Sequence, residues 1–190
     1  MATPDFVLEL RKHVGSAPLW LAGATAVIRD PEGAHVLLVR RSDNGWWTPV
    51  TGIVDPGEHP ADAAVREAHE EAAVTIRVDR VASIGVSRMV TYDNGDQAQY
   101  IDHTFACTYL DGDPHPADGE NTDVRWFDVD DLPEMRPHML ARIDAGLADE
   151  ERARIVTTTE GATSGYWSHP PGHRIEPCPP TAYAPRSRPR

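Results

Sequence analysis

The sequence predicts an α/β domain, because β-branched apolar runs alternate with two segments of helical spacing. The runs are separated by turn residues such as Asp30-Pro31-Glu32-Gly33, a pattern typical of strands joined by tight connections. An alanine-rich segment starting at Pro60 and an apolar stripe after Pro137 indicate two helices. The 190 residues include 40% hydrophobic residues and 5 tryptophans, enough for one globular core with extensions.

The first half of the chain predicts a helix, a hairpin and an extended segment. Residues Pro4 to Val14 place apolar side chains at helical spacing, and Gly15 ends the helix. The apolar runs Ala22 to Ile28 and His35 to Arg41 form the hairpin around the Asp30 turn. Residues 46–54 are extended, and Asp55-Pro56-Gly57 then turns the chain.

The second half predicts three further strands and a last helix. Residues 76–90 and 99–110 alternate as strands, and the intervening Tyr92-Asp93-Asn94-Gly95-Asp96 carries the Asn-Gly signature of a tight turn. Residues 124–129 form another strand. A helix begins at Pro137, with an apolar stripe formed by Met139, Leu140, Ile143 and Leu147.

Three regions are predicted along the chain: an N-terminal helix in residues 1–18, a central domain in residues 19–150, and an extension in residues 151–190. The extension is rich in proline and arginine but contains Tyr166, Trp167 and Tyr183, which are unusual in a disordered tail. We therefore expect an extended arm that lies along its own domain or along a neighbouring subunit, which leaves a homodimer open.

Charge and cysteine content exclude several classes of function. The net charge is −12, and residues 1–150 carry 12 Lys and Arg against 27 Asp and Glu, which argues against a nucleic-acid partner. The apolar stretch Leu19 to Ile28 is too short to cross a membrane, and Asp5 and Glu9 do not fit a signal peptide. Cys107 and Cys178 form no CxxC spacing. We expect a cytoplasmic protein with no membrane partner.

The chemistry is concentrated on the helix from Pro60 to Ala73. At about 100° per residue, Glu67, Glu70 and Glu71 share one arc. The adjacent, packing arc is expected to hold Ala61, Ala64, Val65, Ala68 and Ala72. Three neighbouring carboxylates repel one another unless a hard cation such as Mg²⁺ binds them. Glu58 adds a fourth carboxylate, and Arg66 is placed to pair with Glu70. For the three helix glutamates alone, an ordinary solvated face remains an equal alternative.

The longer pattern decides between these alternatives. The stretch GIVDPGEHPADAAVREAHEEAAV, from Gly52 to Val74, resembles the Nudix box, G-x5-E-x7-R-E-U-x-E-E-x-G-U. Gly52, Glu58, Arg66, Glu67, Glu70, Glu71 and Val74 match it. The departures are Ala68, small for the first apolar position, and Ala73, which replaces a glycine after the helix. The resemblance covers about residues 22–132 and implies an α/β/α sandwich with a mixed sheet.

The resemblance also implies an activity: Mg²⁺-dependent hydrolysis, with Mn²⁺ as the second candidate, of a pyrophosphate linkage in a nucleoside di- or triphosphate derivative. Glu67 and Glu71 would be the principal ligands, Glu70 a further ligand or a base, and Glu58 a ligand directly or through water. Where the family often has Leu-Pro-Gly-Gly, this chain has Pro49-Val50-Thr51-Gly52, so the carbonyl of Thr51 would be the main-chain ligand. Glu120 resembles a later-loop ligand or base, although it could be an ordinary loop carboxylate.

The substrate is a small nucleotide whose contacts the sequence specifies only loosely. Trp46, Trp47 and Tyr92 could stack on a base, although core packing is the expected role of at least one tryptophan. Arg40 and Arg41 could bind phosphate, but strand alternation allows only one of them to face the site.

Other functions have less support in the sequence. The lysine of a P-loop is missing, because Lys12 is followed by His13, and Ala73 stands where an HExxH motif beginning at His69 needs its second histidine. The remaining alternatives are a Nudix-fold module that binds a nucleotide without cutting it, and isoprenoid diphosphate isomerisation through a reactive Cys107. The predicted strand position of Cys107 favours a core role instead.

Overall fold

The computed structural model describes residues 3–156 and contains three helices and nine strands within that range. The helices are α1 Asp5–Val14, α2 Pro60–Ala72 and α3 Pro137–Leu147. The strands are β1 Leu19–Arg29, β2 His35–Arg41, β3 Trp47–Thr48, β4 Val50–Ile53, β5 Val74–Val86, β6 Val90–Thr91, β7 Gln97–Gly112, β8 Asn121–Asp128 and β9 Arg154–Ile155. No helix within residues 3–156 is long and apolar enough to cross a membrane.

The strands form one mixed sheet in the order β3-β2-β1-β7-β5-β9, with β4 paired to β1, β6 to β7 and β8 to β2. The long central pair β1 and β7 runs parallel, from Leu19 opposite Ala98 to Arg29 opposite Thr108. The β1–β2 hairpin and the β5–β7 pair are antiparallel. The mixed sheet that the resemblance implies is confirmed.

Helices α2 and α3 cover opposite faces of this sheet. In β2, Leu37 and Val39 belong to the core under α2, whereas the alternate residues Val36 and Leu38 belong to the core under α3. This follows from the two-residue repeat of a strand. Small side chains on α2, among them Ala64 and Ala68, let the helix approach the sheet closely. The α/β/α sandwich is therefore confirmed.

The predicted N-terminal helix and turns are also present. Val7 of α1 packs with Leu21, Ile53 and Ala98 at one end of the sheet. Gly15 ends α1 with a φ of 59°, a left-handed value that favours glycine. The β6–β7 turn is closed by a hydrogen bond from the N–H of Gly95 to the carbonyl of Tyr92.

The expected packing face of α2 is wrong at one position. Val65, expected on the packing face of α2, is 36% exposed, whereas Glu67 and Glu71 are buried beside the alanines. Helical periodicity sets the angles between side chains but not which angle faces the sheet. On α3, Ile143 is buried, but Leu140 is 37% exposed.

Some element boundaries shift as well. The predicted strand 76–90 is divided into β5 and β6, and β8 begins at Asn121, three residues before the predicted start at Val124. Strand β9 pairs in parallel with β5 inside the predicted extension. The division into three regions stays a prediction, and the proline-rich arm from residue 157 onward lies outside the described residues.

Candidate active site

The loop between β4 and α2 brings Glu58 toward the helix. Gly57 has a φ of 89°, which permits a sharp turn after Pro56. The N–H of Glu58 donates to the carbonyl of Asp55 at 3.0 Å, and the N–H of Asp55 donates to Oε2 of Glu58 at 3.1 Å. These reciprocal bonds fix the Glu58 carboxylate at the entrance to α2.

Arg66 is the centre of the carboxylate cluster. Its Nε and Nη2 donate to the two oxygens of Glu58 at 2.9 and 3.0 Å. Its Nη1 donates to Glu67 Oε1 at 2.8 Å and to Glu70 Oε2 at 3.0 Å, and Nη2 also donates to the carbonyl of Ile53 at 3.1 Å. The predicted ion pair with Glu70 is confirmed. The guanidinium offsets repulsion among three of the four box glutamates.

Gly52 makes room for Glu67. A β-carbon at position 52 would lie 1.9 Å from both Cδ and Oε1 of Glu67, far inside ordinary contact distance. Gly52 does not have a positive φ, so its backbone does not require glycine. The first residue of the box is therefore glycine because its missing side chain leaves the space that the Glu67 carboxylate occupies.

Glu71 is the most deeply buried of the cluster, at 1% exposure. Its Oε2 accepts a hydrogen bond from Nδ2 of Asn121 at 3.3 Å. Its Oε1 is buried and has no hydrogen-bond partner within residues 3–156. A buried carboxylate oxygen without a hydrogen bond lowers the stability of the fold unless a bound ion or another donor compensates for it.

The pKa values of the glutamates shift in opposite directions, according to burial and to contact with Arg66. Burial raises the pKa of Glu67 to about 7, against the lowering influence of Arg66. Burial and the charges of Glu67 and Glu120 raise the pKa of Glu71 to about 8. The hydrogen bonds from Arg66 instead lower the pKa of Glu58. At Glu67 burial outweighs the hydrogen bond from Arg66, and Glu71 accepts from the neutral amide of Asn121, so a bound cation would stabilise both carboxylates.

Glu120 lies at the same site. It acts on the pKa of both Glu67 and Glu71, and it lines a cavity of about 620 Å³ together with Arg66, Glu67 and Glu70. The other residues lining the cavity are Pro4, Ser42, Ile53, Asp55, Asp118 and Gly119. The structure therefore brings the later-loop carboxylate to the box helix, whereas its chemical role stays a prediction.

The two candidate arginines of β2 differ in their surroundings. The Nε of Arg40 donates to the carbonyl of Gly45 at 3.1 Å. Arg41 makes a bidentate pair with Asp43, with both distances 2.9 Å. The hydrogen bonds that Arg41 donates to Asp43, with the charges of Asp43, Glu71 and Glu120, raise the pKa of Arg41. Arg41 is therefore the member of the pair that faces the glutamates.

The three candidate aromatic residues also differ in their packing and exposure. Trp47 packs edge-to-face on Phe127, with ring centres 4.8 Å apart, within the core under α3. Trp46 is half-buried, and the guanidinium of Arg136 lies 5.1 Å from its ring centre. Tyr92 is 44% exposed in the β6–β7 turn, and its hydroxyl bonds that of Tyr100 at 2.5 Å. One tryptophan is a core residue, as expected.

The donor set fits a divalent cation, although the side chains converge on Arg66. Within residues 3–156, no group of three or more His, Cys, Asp or Glu side chains has the arrangement of metal ligands. The buried Oε1 of Glu71, which accepts no hydrogen bond within residues 3–156, and the nearby carboxylate of Glu67 nevertheless offer hard oxygen donors of the kind Mg²⁺ prefers. Thr51 lies in β4 opposite Thr25, and its role as a carbonyl ligand stays a prediction.

Several site residues were not predicted from the sequence. Asn121 and Asp118 flank Glu120 and carry no spacing signal of their own. Ser42 bonds the carbonyl of Glu120 twice, through its N–H at 2.9 Å and its hydroxyl at 2.6 Å. Pro4 reaches the cavity only because α1 packs beside β4. Such contacts depend on tertiary structure, so no local pattern could have revealed them.

A family model and similar proteins of known name both point to one protein family. The NUDIX domain model matches residues 20–148. The NAD-capped RNA hydrolase NudC of Pseudomonas syringae pv. tomato is 33% identical over 130 residues, which cover 64% of this chain and 42% of the relative. A MutT-like protein of Streptomyces ambofaciens is 25% identical over 160 residues, covering 84% and 90% of the two chains. The chain thus spans less than half the length of the NudC relative.

Solved structures support the same fold. A UDP-X diphosphatase aligns with a TM-score of 0.57 at 22% identity, covering 79% of this chain and 73% of that one. An ADP-ribose pyrophosphatase of Streptococcus suis aligns with a TM-score of 0.51 at 24% identity, covering 71% and 96%. At these identities the likeness establishes the shared architecture.

Proposed function

The chain belongs to the NUDIX domain family, and from that premise we propose that it is a divalent-metal-dependent pyrophosphohydrolase. Its substrate is a nucleoside di- or triphosphate derivative, and the linkage cut is a pyrophosphate bond. The observation that carries the proposal is the buried Glu71 carboxylate, whose Oε1 has no hydrogen-bond partner within residues 3–156. It lies on the same buried helix face as Glu67, which occupies the space left by Gly52.

We assign metal binding and the positioning of the ligands to different residues, according to the surroundings of each. Glu67 and Glu71 would hold Mg²⁺ or Mn²⁺, with Glu58, Glu70 and the carbonyl of Thr51 as further ligands. Once bound, the cation would neutralise phosphate charge and lower the pKa of a coordinated water. Arg66 keeps Glu58, Glu67 and Glu70 together through four hydrogen bonds.

Hydrolysis requires a base and a phosphate contact in addition. Water attacks phosphorus, the far phosphate leaves, and the proton of the water passes to a carboxylate of Glu70 or Glu120. Glu70 suits this role because its side chain is half exposed, at 50%, and Glu120 because it lines the cavity. Arg41, on which the charges of Glu71 and Glu120 act, would contact a substrate phosphate.

The nucleoside end of the substrate has fewer assigned contacts. The carbonyl of Trp46 accepts a hydrogen bond from the N–H of Arg41 at 3.0 Å, which joins this half-buried aromatic residue to the phosphate side. We favour Trp46 for contact with the base. The packing of Trp47 in the core and the position of Tyr92 in the β6–β7 turn favour them less, and Arg40 faces Gly45.

A substrate panel tests the activity. With Mg²⁺ or Mn²⁺, we would measure product formation from nucleoside triphosphates, nucleotide sugars, ADP-ribose, NAD, NAD-capped RNA and dinucleoside polyphosphates. The relatives' names motivate NAD, capped RNA and ADP-ribose, whereas the acidic chain favours the free nucleotides. Binding of a nucleotide without turnover of any would favour the alternative, a regulatory binding module.

Glu67→Gln and Glu71→Gln test the assigned residues. Each should abolish most metal-dependent turnover and leave the fold intact, because amide for carboxylate preserves shape but removes a charged ligand. Glu32→Gln, exposed in the β1–β2 connection, is the matched control. Either site variant retaining near wild-type turnover, with circular dichroism showing a folded chain, would refute the assignment.

The isomerase alternative loses support. Cys107 is 1% exposed in β7, and burial raises the pKa of its thiol to about 12, which opposes a reactive thiolate. The homodimer and the cytoplasmic location stay predictions.

A further inference from the structure

We propose that Asn121 is a positioning residue that turns Oε1 of Glu71 toward the divalent cation. This inference rests on the proposed function. Asn121 would not touch the metal or the substrate. It would act by holding the other oxygen of the Glu71 carboxylate.

The contact itself is buried and specific. Asn121 is 5% exposed, and its Nδ2 donates to Glu71 Oε2 across 50 positions of sequence at 3.3 Å. A carboxylate with one oxygen held by a donor has one oxygen left to offer. For Glu71 that remaining atom is Oε1, which no other group within residues 3–156 bonds.

The chemistry of the donor matters as much as its position. Arg66 holds Glu58, Glu67 and Glu70 with a full positive charge, which opposes binding of a cation nearby. Asn121 holds Glu71 with a neutral amide, which orients the carboxylate without adding charge. Hydrogen bonds to ligating carboxylates commonly fix their orientation in this manner.

An irregularity in β8 places this amide. Opposite β2, Arg40 pairs with Asp123 and Arg41 pairs with Asn121, so Thr122 is an extra residue at a register shift. The preceding carbonyl, of Glu120, is held by both polar groups of Ser42. Such irregularities re-aim side chains beside active sites. Here the irregularity fixes Asn121 against Glu71.

Asn121→Leu tests the inference, because leucine has the same branched shape and the same number of side-chain heavy atoms but no donor. We would measure Mn²⁺ binding by electron paramagnetic resonance for wild type, Asn121→Leu and Glu71→Gln. The expected result is a 10- to 100-fold weaker affinity in Asn121→Leu, the order found for residues that support metal ligands. Raising the Mn²⁺ concentration should restore its kcat, with an unchanged KM for the substrate found in the panel, but should not rescue Glu71→Gln.

Thr122→Ala is the matched control, since Thr122 is the exposed neighbour that bonds the carbonyl of Arg40. It should bind Mn²⁺ as wild type does. Should leucine unfold the chain, Asn121→Ala removes the donor without adding volume. Wild-type affinity in a folded Asn121 variant, or unfolding of both variants, would overturn the inference. Failure of the wild type itself to bind Mn²⁺, even with nucleotide, would instead refute the proposed function.

Discussion

Gly52→Ala gives a sharp test of how the site is assembled. The new methyl group would lie 1.9 Å from Glu67 Cδ and Oε1 and 2.2 Å from Cγ, whereas ordinary contact begins at 3.4 Å. The Glu67 carboxylate must therefore move by about 1.5 Å. Since a misplacement of about 1 Å can cost about 100-fold in rate, kcat should fall by at least that factor, or about 2.7 kcal/mol of transition-state stabilisation.

The stability of the fold should change little, because only the end of a flexible side chain is displaced. We expect the free energy of unfolding of Gly52→Ala to stay within about 1 kcal/mol of wild type by urea denaturation. Gly85→Ala in β5 is the matched control, since its methyl group would lie 3.7 Å from Val156 Cγ2, an ordinary distance. The assay is metal-dependent turnover of the substrate found in the panel. Activity of Gly52→Ala within threefold of wild type would refute the steric argument.

Three further predictions concern stability. Ala73, with φ 56° and ψ 33°, adopts a left-handed conformation that favours glycine, so Ala73→Gly should raise the free energy of unfolding in urea by roughly 0.5–1 kcal/mol; a decrease would contradict this reasoning. Gly146→Ala would place a methyl group 2.4 Å from Cβ of buried Val27, so it should lower the melting temperature through overpacking that costs about 1–3 kcal/mol; an unchanged melting temperature would show that α3 can shift freely. Burial and the charges of Arg142, Arg136 and Arg88 lower the pKa of His138 to about 4, so its stabilising contribution is present above an unfolded pKa of about 6.5 and is lost as pH falls through 4. His138→Gln should therefore lose less stability than wild type between pH 7 and 4 in urea titrations, and parallel pH curves for the two proteins would argue against it.

Local patterns predicted the hairpin, α2 and the start of α3 because their causes lie within a few residues. Pro60 and Pro137 each occupy a first helical turn, where the missing N–H costs nothing. The acidic motif likewise identified Glu58, Arg66, Glu67 and Glu70 as a group. In the structure, the guanidinium of Arg66 donates hydrogen bonds to Glu58, Glu67 and Glu70.

The burial of the glutamates could not be predicted in the same manner. Periodicity placed Glu67 and Glu71 on an arc beside the packing face, yet they lie on it with Ala64 and Ala68, while Val65 is exposed. The deciding factor is the partner surface. Gly52, on β4, leaves the space that Glu67 of α2 occupies, and this is visible only when β4 and α2 are packed together.

The sequence by itself determined the α/β class, the box helix and the carboxylates available to a cation, because spacing along one chain sets which side chains share a helix face. Only the tertiary structure decided that β1 runs parallel to β7, that Arg41 rather than Arg40 faces Glu71, and that Asn121 bonds Glu71 from 50 residues away. The physical reason is that these contacts join segments distant in sequence, so their geometry exists only after the sheet and α2 have packed.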